Sequence, residues 1–348
     1  MCYLTGWHRD GVGDKIGAAL EEWAAGGHEP TLFLLNPRSP TGERRALGGQ
    51  SFLFSTPAER LQATRRMYAA VRESKPDVIY LRYDLFFPPA TAVTKVAPTV
   101  AEFNSNSKAE WGNRSKGAVL YGQFQERLLL RRLSGAVCVA HELGASVREK
   151  RPGLPVRVIG NGIALDHLPE LPPPATQGIR LAYLGDDVYW QGIDKLFELA
   201  EALPDWQFDL IGVPPERSTA NVTGHGYLEP GQYEPILAQA DIAVGTLALM
   251  RRGMDETSTL KVPRYLAYGL PVIIGYEETD FVGEEPPWYL LRLPNTESNV
   301  RDNLDRIRAF ATAVKGRRVD RAETAARFST QVKEAARLSF LAEFARRS

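Results

Sequence analysis

Cysteine is nearly absent: Cys2 and Cys138 are the only two thiols in 348 residues. So few, so far apart, cannot make a disulfide framework, and they read as small buried hydrophobes in a reducing compartment. Net charge is absent too. Lys plus Arg and Asp plus Glu both number 42, so no global field draws the chain to nucleic acid, and any anion must be bound by a local cluster. No run of about 18 uncharged apolar residues could span a bilayer. The opening CYLTGWHRDG has no basic-then-apolar leader. The expectation is a cytoplasmic protein, with peripheral attachment to the inner membrane face the one membrane association left open. The five histidines, His8, His28, His141, His167 and His225, lack metal-ligand spacing. The acidic pair Asp186 and Asp187 reads as a solvated turn, and no metal site is expected.

What is present is an ordinary core-forming composition, 44% hydrophobic and 24% charged, in a chain long enough for two domains. Short apolar runs alternate with helical patterns, which predicts parallel sheets wrapped by helices. In the first half, residues 2–5, 31–35, 78–81, 96–101, 136–139 and 156–159 read as strands, and 15–25, 58–73 and 122–133 as helices. The proline-rich PELPPPATQG, residues 169–178, can neither continue a helix nor sit in a central strand, and it marks the domain boundary. Alternation then restarts with RLAYLG, a helix at 194–202, FDLIG, NVTGHG, a helix at 232–239, DIAVGTL and PVIIGY. Two doubly wound domains of this kind place a ligand cleft between the carboxyl ends of their sheets.

The densest chemistry lies in residues 254–275, MDETSTLKVPRYLAYGLPVIIG. Thr257, Ser258 and Thr259 are placed to cap a short helix through Tyr265, Leu266 and Ala267, with Gly269 as its stop. Free amides at that helix start, with Lys261 and Arg264, would converge on an anion such as a diphosphate, while Glu256 meets a neutral polyol. A second candidate site is the loop after the first strand, where Gly11 and Gly13 permit close backbone approach and Arg9 or His8 could assist. Its glycines read G-V-G-D-K-I-G and the next strand ends in Asn36, so it is not a dinucleotide-binding fingerprint. Arg131 and Arg132 read as a solvated helix face.

Residues 254–275 resemble the most diagnostic motif of the family-four glycosyltransferases, retaining GT-B enzymes, in which two glutamates seven residues apart precede a helix ending in a small residue, Gly, x, Pro, Val. Glu256 holds the first acidic place and Arg264 stands where the second glutamate is expected. The resemblance extends in order along the chain: AGGHEP is similar to RGHEV, KPDVIY to PDVIH, GNGIALD to PNGVD and WQGID to WKGVD. VAEFN is similar to a strand end of bacterial members, and GHGYLEPGQYEPILAQADIAV to the run after the G-x-V turn. Two family cations are replaced. The Arg after the first glycine of the second domain gives way to Asp186 or Asp187, and the Lys of W-K-G to Gln191. The usual strand-end histidine also has no counterpart in Tyr80, Arg82, Tyr83 or Asp84.

The resemblance implies an α/β GT-B fold, with two Rossmann-like domains facing an interdomain cleft. Residues 1–168 would form the acceptor-side domain, 169–178 the linker and 179–327 the nucleotide-sugar domain, with 328–348 packing back on the first. It implies transfer of a hexosyl unit from a nucleotide-diphosphate sugar to an acceptor hydroxyl, with retention, without metal and without a cofactor beyond the sugar nucleotide. Glu256 would contact the sugar. Thr257, Ser258, Thr259, Lys261 and Arg264 would hold the diphosphate, and Gly226, Tyr227 and Leu228 would frame the base. His141 and Glu142 are acceptor-side candidates. The partners implied are a nucleotide sugar and a glycan or lipid-linked acceptor in cell-surface polysaccharide or glycoconjugate synthesis. The alternative, suggested by the replaced cations, is a non-catalytic sugar-nucleotide or glycan-binding subunit of a partner enzyme.

Overall fold

The computed structural model describes residues 1–6, 10–38, 49–83, 90–105, 116–175 and 177–345. The chain divides into two compact units, Met1–Gly160 with Thr330–Ser348, and Asn161–Ser329. The proline-rich residues 169–178 fall within the span of the second.

The first unit is built on strands β1 (Cys2–Gly6), β2 (Thr31–Pro37), β3 (Gln50–Phe54), β4 (Ile79–Arg82), β5 (Thr99–Phe103), β6 (Gly135–Cys138) and β7 (Val156–Val158). They form one parallel sheet in the order β3-β2-β1-β4-β5-β6-β7. The central strands are apolar runs because helices cover both faces. The helices are α1 (Asp10–Ala25), α2 (Pro57–Glu73), α3 (Ala90–Val93), α4 (Lys116–Leu130) and α5 (His141–Lys150). Strand β3 was not anticipated; it is an edge strand with exposed polar positions, and its short QSFLF carries little period-two signal.

Helix α1 begins five residues earlier than its apolar pattern predicts, so Gly11 and Gly13 lie in its first turn and not in a loop. Each glycine costs a helix about 1 kcal/mol relative to alanine. Burial of Ile16, Ala19 and Trp23 on one face of the same helix outweighs that cost. Arg9, with Trp7 and His8, lies outside the described residues, as does Asp84.

The second unit contains β8 (Arg180–Leu184), β9 (Gln207–Ile211), β10 (Val222–Gly226), β11 (Ile242–Val244), β12 (Glu256–Thr257), β13 (Val272–Ile274), β14 (Glu277–Glu278) and β15 (Leu290–Arg292). Six of these make a parallel sheet in the order β10-β9-β8-β11-β13-β15, and β12 pairs with β14 in a separate two-stranded ladder. Helices α6 (Ile193–Ala202), α7 (Pro230–Gln239), α8 (Lys261–Ala267), α9 (Leu304–Val314) and α10 (Arg321–Phe328) complete it. Its core joins Leu181, Tyr183, Leu196, Phe208, Ile242 and Ile273.

Helix α11 (Thr330–Ala342) belongs to the first unit. It packs on α1, where Trp23 Nε1 donates to Glu334 Oε2 at 2.8 Å. Arg337 of α11 is fully buried; its Nε donates to the Tyr80 hydroxyl at 2.9 Å, and its guanidinium pairs with Glu334 and, at 3.6 Å, with Glu102. A helix that carries such groups inward is part of the core it completes.

Candidate active site

In the second unit three neighbouring strands end on glycines with positive φ: Gly185 after β8 (156°), Gly212 after β9 (92°) and Gly226 at the end of β10 (66°). A Cβ at Gly212 would lie 2.3 Å from the Gly185 carbonyl oxygen, so these backbones approach as only glycine allows. The Gly212 amide donates to the Gly226 carbonyl at 2.7 Å, which ties the β9 and β10 ends together. The carboxyl edge of β8 to β10 is thus half-buried backbone that carries no side chain at these three positions, and the carboxyl edge is where open parallel sheets receive ligands.

Lys261, the first residue of α8, reaches this edge. Its Nζ donates to the Tyr183 hydroxyl and to Gln191 Oε1, both at 2.7 Å, and sits 4.2 Å from the Tyr183 ring centroid. A Cβ on Gly185 would meet that same ammonium at 2.4 Å. Gln191 is itself buried and also accepts from Thr246 Oγ1 at 2.8 Å, which fixes its oxygen toward the lysine. The sequence therefore replaces the expected cation at 191 with an amide, and the fold delivers Lys261 to the end of that amide. Burial lowers the Lys261 ammonium to about 7, against the opposing pull of Asp186. Helix α8 is held to β8 a second time one turn on, since the Tyr265 hydroxyl accepts from the Leu184 amide at 2.7 Å.

Residues 257–259 do not cap this helix. Leu260 is the N-cap, no side chain caps it, and Thr259 Oγ1 is 3.5 Å from the Val262 amide. Two of the three hydroxyl side chains have other work. Ser258 is buried and its Oγ accepts from the Asn161 amide at 2.8 Å, tying this loop to the GNGI turn. Thr259 Oγ1 lies 3.1 Å from the Tyr276 hydroxyl, which donates to buried Glu278. Thr257 and Glu256 form β12, whose pairing with Glu277 and Glu278 fixes the buried Glu256. At seven residues α8 is too short to act through its terminus, so Lys261 itself carries the local positive charge.

Arg264 is half-buried one turn along α8, with Nη1 3.4 Å from the Tyr233 hydroxyl. Tyr227 is 70% exposed just beyond Gly226, its hydroxyl donating to Glu229 Oε1 at 3.1 Å, and Leu228 is half-buried beside it. In the first unit, exposed His141 and half-buried Glu142 open α5 immediately after the β6 segment. The fold thus groups Lys261 with Gly185 and Gln191, and Gly226 with Tyr227, within one unit.

Sequence reasoning missed Tyr183, Thr246, Gly212 and Arg217. Tyr183 and Thr246 sit in apolar strand patterns, where nothing distinguishes a core residue from one that grips a lysine. Gly212 was legible as the end of FDLIG. Arg217 gave no signal; it pairs with Asp187 across the strand-end turns and lies 4.8 Å over the Phe197 ring. Among the described residues no group of three His, Cys, Asp or Glu is placed to hold a metal ion.

Residues 10–167 match the model of Glycosyltransferase Family 4. The whole chain is similar in structure to a sucrose-phosphate synthase from Thermosynechococcus elongatus, at 13% identity, 98% coverage of both chains and a TM-score of 0.72. It is similar to the lipopolysaccharide outer core galactosyltransferase WaaB in its apo form, at 12% identity, with 97% of this chain and 99% of that one covered and a TM-score of 0.69. Anabaena HepE in complex with UDP and glucose is similar at 12% identity, covering 98% and 99%, with a TM-score of 0.69. No curated protein sequence matches the chain.

Proposed function

We propose that this chain, which has the GT-B fold and a family-four glycosyltransferase match over its first unit, transfers a hexosyl unit from a nucleotide-diphosphate sugar to an acceptor hydroxyl. The observation that carries the proposal is Lys261, a cation held by two neutral groups against the glycine at the end of β8. A leaving diphosphate needs positive charge that is positioned in advance, and a lysine whose hydrogen bonds go to a hydroxyl and an amide oxygen is positioned in that way. Gly226, Tyr227 and Leu228 would frame the base, and Glu256 would hold sugar hydroxyls. Arg264 and the hydroxyl residues 257–259 would act in support. HepE is described with UDP-glucose, which makes a uridine diphosphate sugar the first donor to test.

In this reading the reaction retains anomeric configuration and uses no metal. The departing phosphate oxygen accepts the acceptor's proton while the protein positions both substrates. The acceptor is a glycan or a lipid-linked glycan in polysaccharide or glycoconjugate assembly on the cytoplasmic side of the membrane.

The test is Glu256→Gln with nucleotide affinity and turnover measured together. Turnover should fall by about 10²-fold or more while nucleoside diphosphate affinity holds, because a sugar contact strengthened in the transition state acts on rate first. Undiminished turnover would remove Glu256 from the site. A second reading is kept by one observation: Arg264 occupies the second-glutamate position and meets Tyr233. A non-catalytic sugar-nucleotide-binding subunit would bind the nucleotide and neither transfer nor hydrolyse the sugar.

A further inference from the structure

Helix α4 shows solvent three large apolar side chains within five residues, Leu120 (67% exposed), Tyr121 (47%) and Phe124 (61%). Single exposed apolar residues are commonplace, whereas a cluster on one helix face marks a contact surface. The opposite side of α4 is committed to the core through Leu129 and Leu130. The only carboxylate of the helix, Glu126, is buried and paired to Lys150 at 2.7 Å.

Charge on the exposed side has one sign. Lys116 and Arg127 lie on it, and Arg131 and Arg132 follow in a turn that keeps helical spacing, with the Arg131 amide donating to the Arg127 carbonyl at 3.2 Å. At 100° per residue Leu120, Phe124, Arg127 and Arg131 fall within an arc of about 60°, with Lys116 at its margin one turn before Leu120. An apolar centre thus has cations toward both ends and no exposed carboxylate in the helix. Arg131, read from sequence with Arg132 as a solvated face, is the basic end of that stripe.

We infer that this face of α4 docks on an anionic lipid surface. An exposed helix face lets its leucine and aromatic side chains enter the headgroup boundary while the cations stay with the phosphates. A bilayer moulds to such a face, whereas a protein partner would need a matching acidic groove. No helix among the described residues is long and apolar enough to cross a membrane, so the contact is peripheral. The inference is independent of the sugar-transfer reading, because its test needs no donor.

The test is flotation of the full chain with vesicles of phosphatidylcholine alone and of phosphatidylcholine mixed with phosphatidylglycerol. The wild type should float with the anionic vesicles, less so as salt is raised, and only weakly with the neutral ones. Each cation near such a surface adds about fivefold to the partition, so Arg127→Gln combined with Arg131→Gln should lose about 25-fold. Leu120→Ser combined with Phe124→Ser should abolish flotation. All four substitutions are on exposed positions, and circular dichroism melts confirm that the variants fold. Absence of flotation with anionic vesicles, equal flotation with both kinds, or flotation that survives both double variants would overturn the inference. A wild type that ignores vesicles yet self-associates through Leu120 and Phe124 would assign the face to a protein contact and overturn it equally.

Discussion

Both units gather cations toward the carboxyl side of a parallel sheet, but against opposite kinds of partner. In the first unit Lys15, Arg82 and Arg337 close on the fully buried Glu102, at 2.8, 2.8 and 3.6 Å. Burial alone would raise the Glu102 carboxyl, yet the three cations outweigh it and hold the group well below the usual carboxylate range. Lys15 falls to about 8 because burial outweighs the pull of Glu102. In the second unit Lys261 meets a hydroxyl and an amide oxygen, and burial takes it to about 7. The contrast separates two uses of a buried cation. Where a carboxylate neutralises it the charge is spent on holding the fold; where neutral dipoles hold it, the charge is, on the function proposed above, left for an incoming anion.

The largest effect expected from breaking this contrast is on the first unit's stability. Glu102→Gln leaves Lys15, Arg82 and Arg337 facing one another, with Glu334 still opposing Arg337, and removing one partner of a buried pair costs about 3–5 kcal/mol. Denaturant unfolding should show that loss in the transition assigned to this unit. An unchanged midpoint would mean that the cluster is not the structural element described above. Because Glu102 is held low, its contribution is present above its unfolded pKa and fades as pH falls through the acid range.

Next is Lys261→Met, which should cut transfer about 10²–10³-fold. It should weaken nucleoside diphosphate binding while leaving nucleoside binding intact, since only the phosphates feel the lost charge. Adding Gln191→Lys to that variant returns a cation from the other side of the pair and should recover diphosphate affinity; in the wild type the same change would set two ammonium groups in contact and weaken binding. Lys261 also gives a pH signature. At pH above about 7 the free protein holds it largely neutral, so diphosphate binding should take up a proton and weaken as pH rises, by up to tenfold per unit. For stability the sign is opposite: the unfolded lysine keeps its proton up to about 10.5 while the folded one releases it from about 7, so stability rises with pH between those values. Calorimetry in buffers of different ionisation enthalpy measures the uptake, and Lys261→Met should abolish it.

The smallest effect sharpens the comparison at its edge. Asp187 and Arg217 pair on the surface of the second unit, each side chain over 30% exposed, and Asp187→Asn should change stability by no more than about 1 kcal/mol. A gain in diphosphate affinity in that variant would show that Arg217, once released, joins Lys261 in serving the anion.

Much of the fold was legible because parallel strands buried on both faces write themselves as uninterrupted apolar runs. Strands β1, β2, β4, β6 and β8 were read to within a residue or two. The start of α1 was not, since Gly11 and Gly13 carry the local signal of a loop and only the packing of Ile16 and Trp23 overrides it. The candidate site was half legible. Lys261 stands out beside Glu256 in one short stretch, but its holders lie 78 and 70 residues away, at Tyr183 and Gln191.

What the sequence determined by itself is the alternation of elements, the glycines that end strands and the supply of Lys261 in one short polar stretch. These are properties of single residues and of their nearest neighbours, and period, φ preference and charge suffice to read them. Tertiary structure alone decided which cations are spent and which are held in reserve. Lys15 and Lys261 are the same side chain, each in a helix packed beside a parallel sheet. Only the strands brought next to them, β5 with Glu102 in one unit and β8 with Tyr183 in the other, determine whether a carboxylate or a neutral dipole faces the charge.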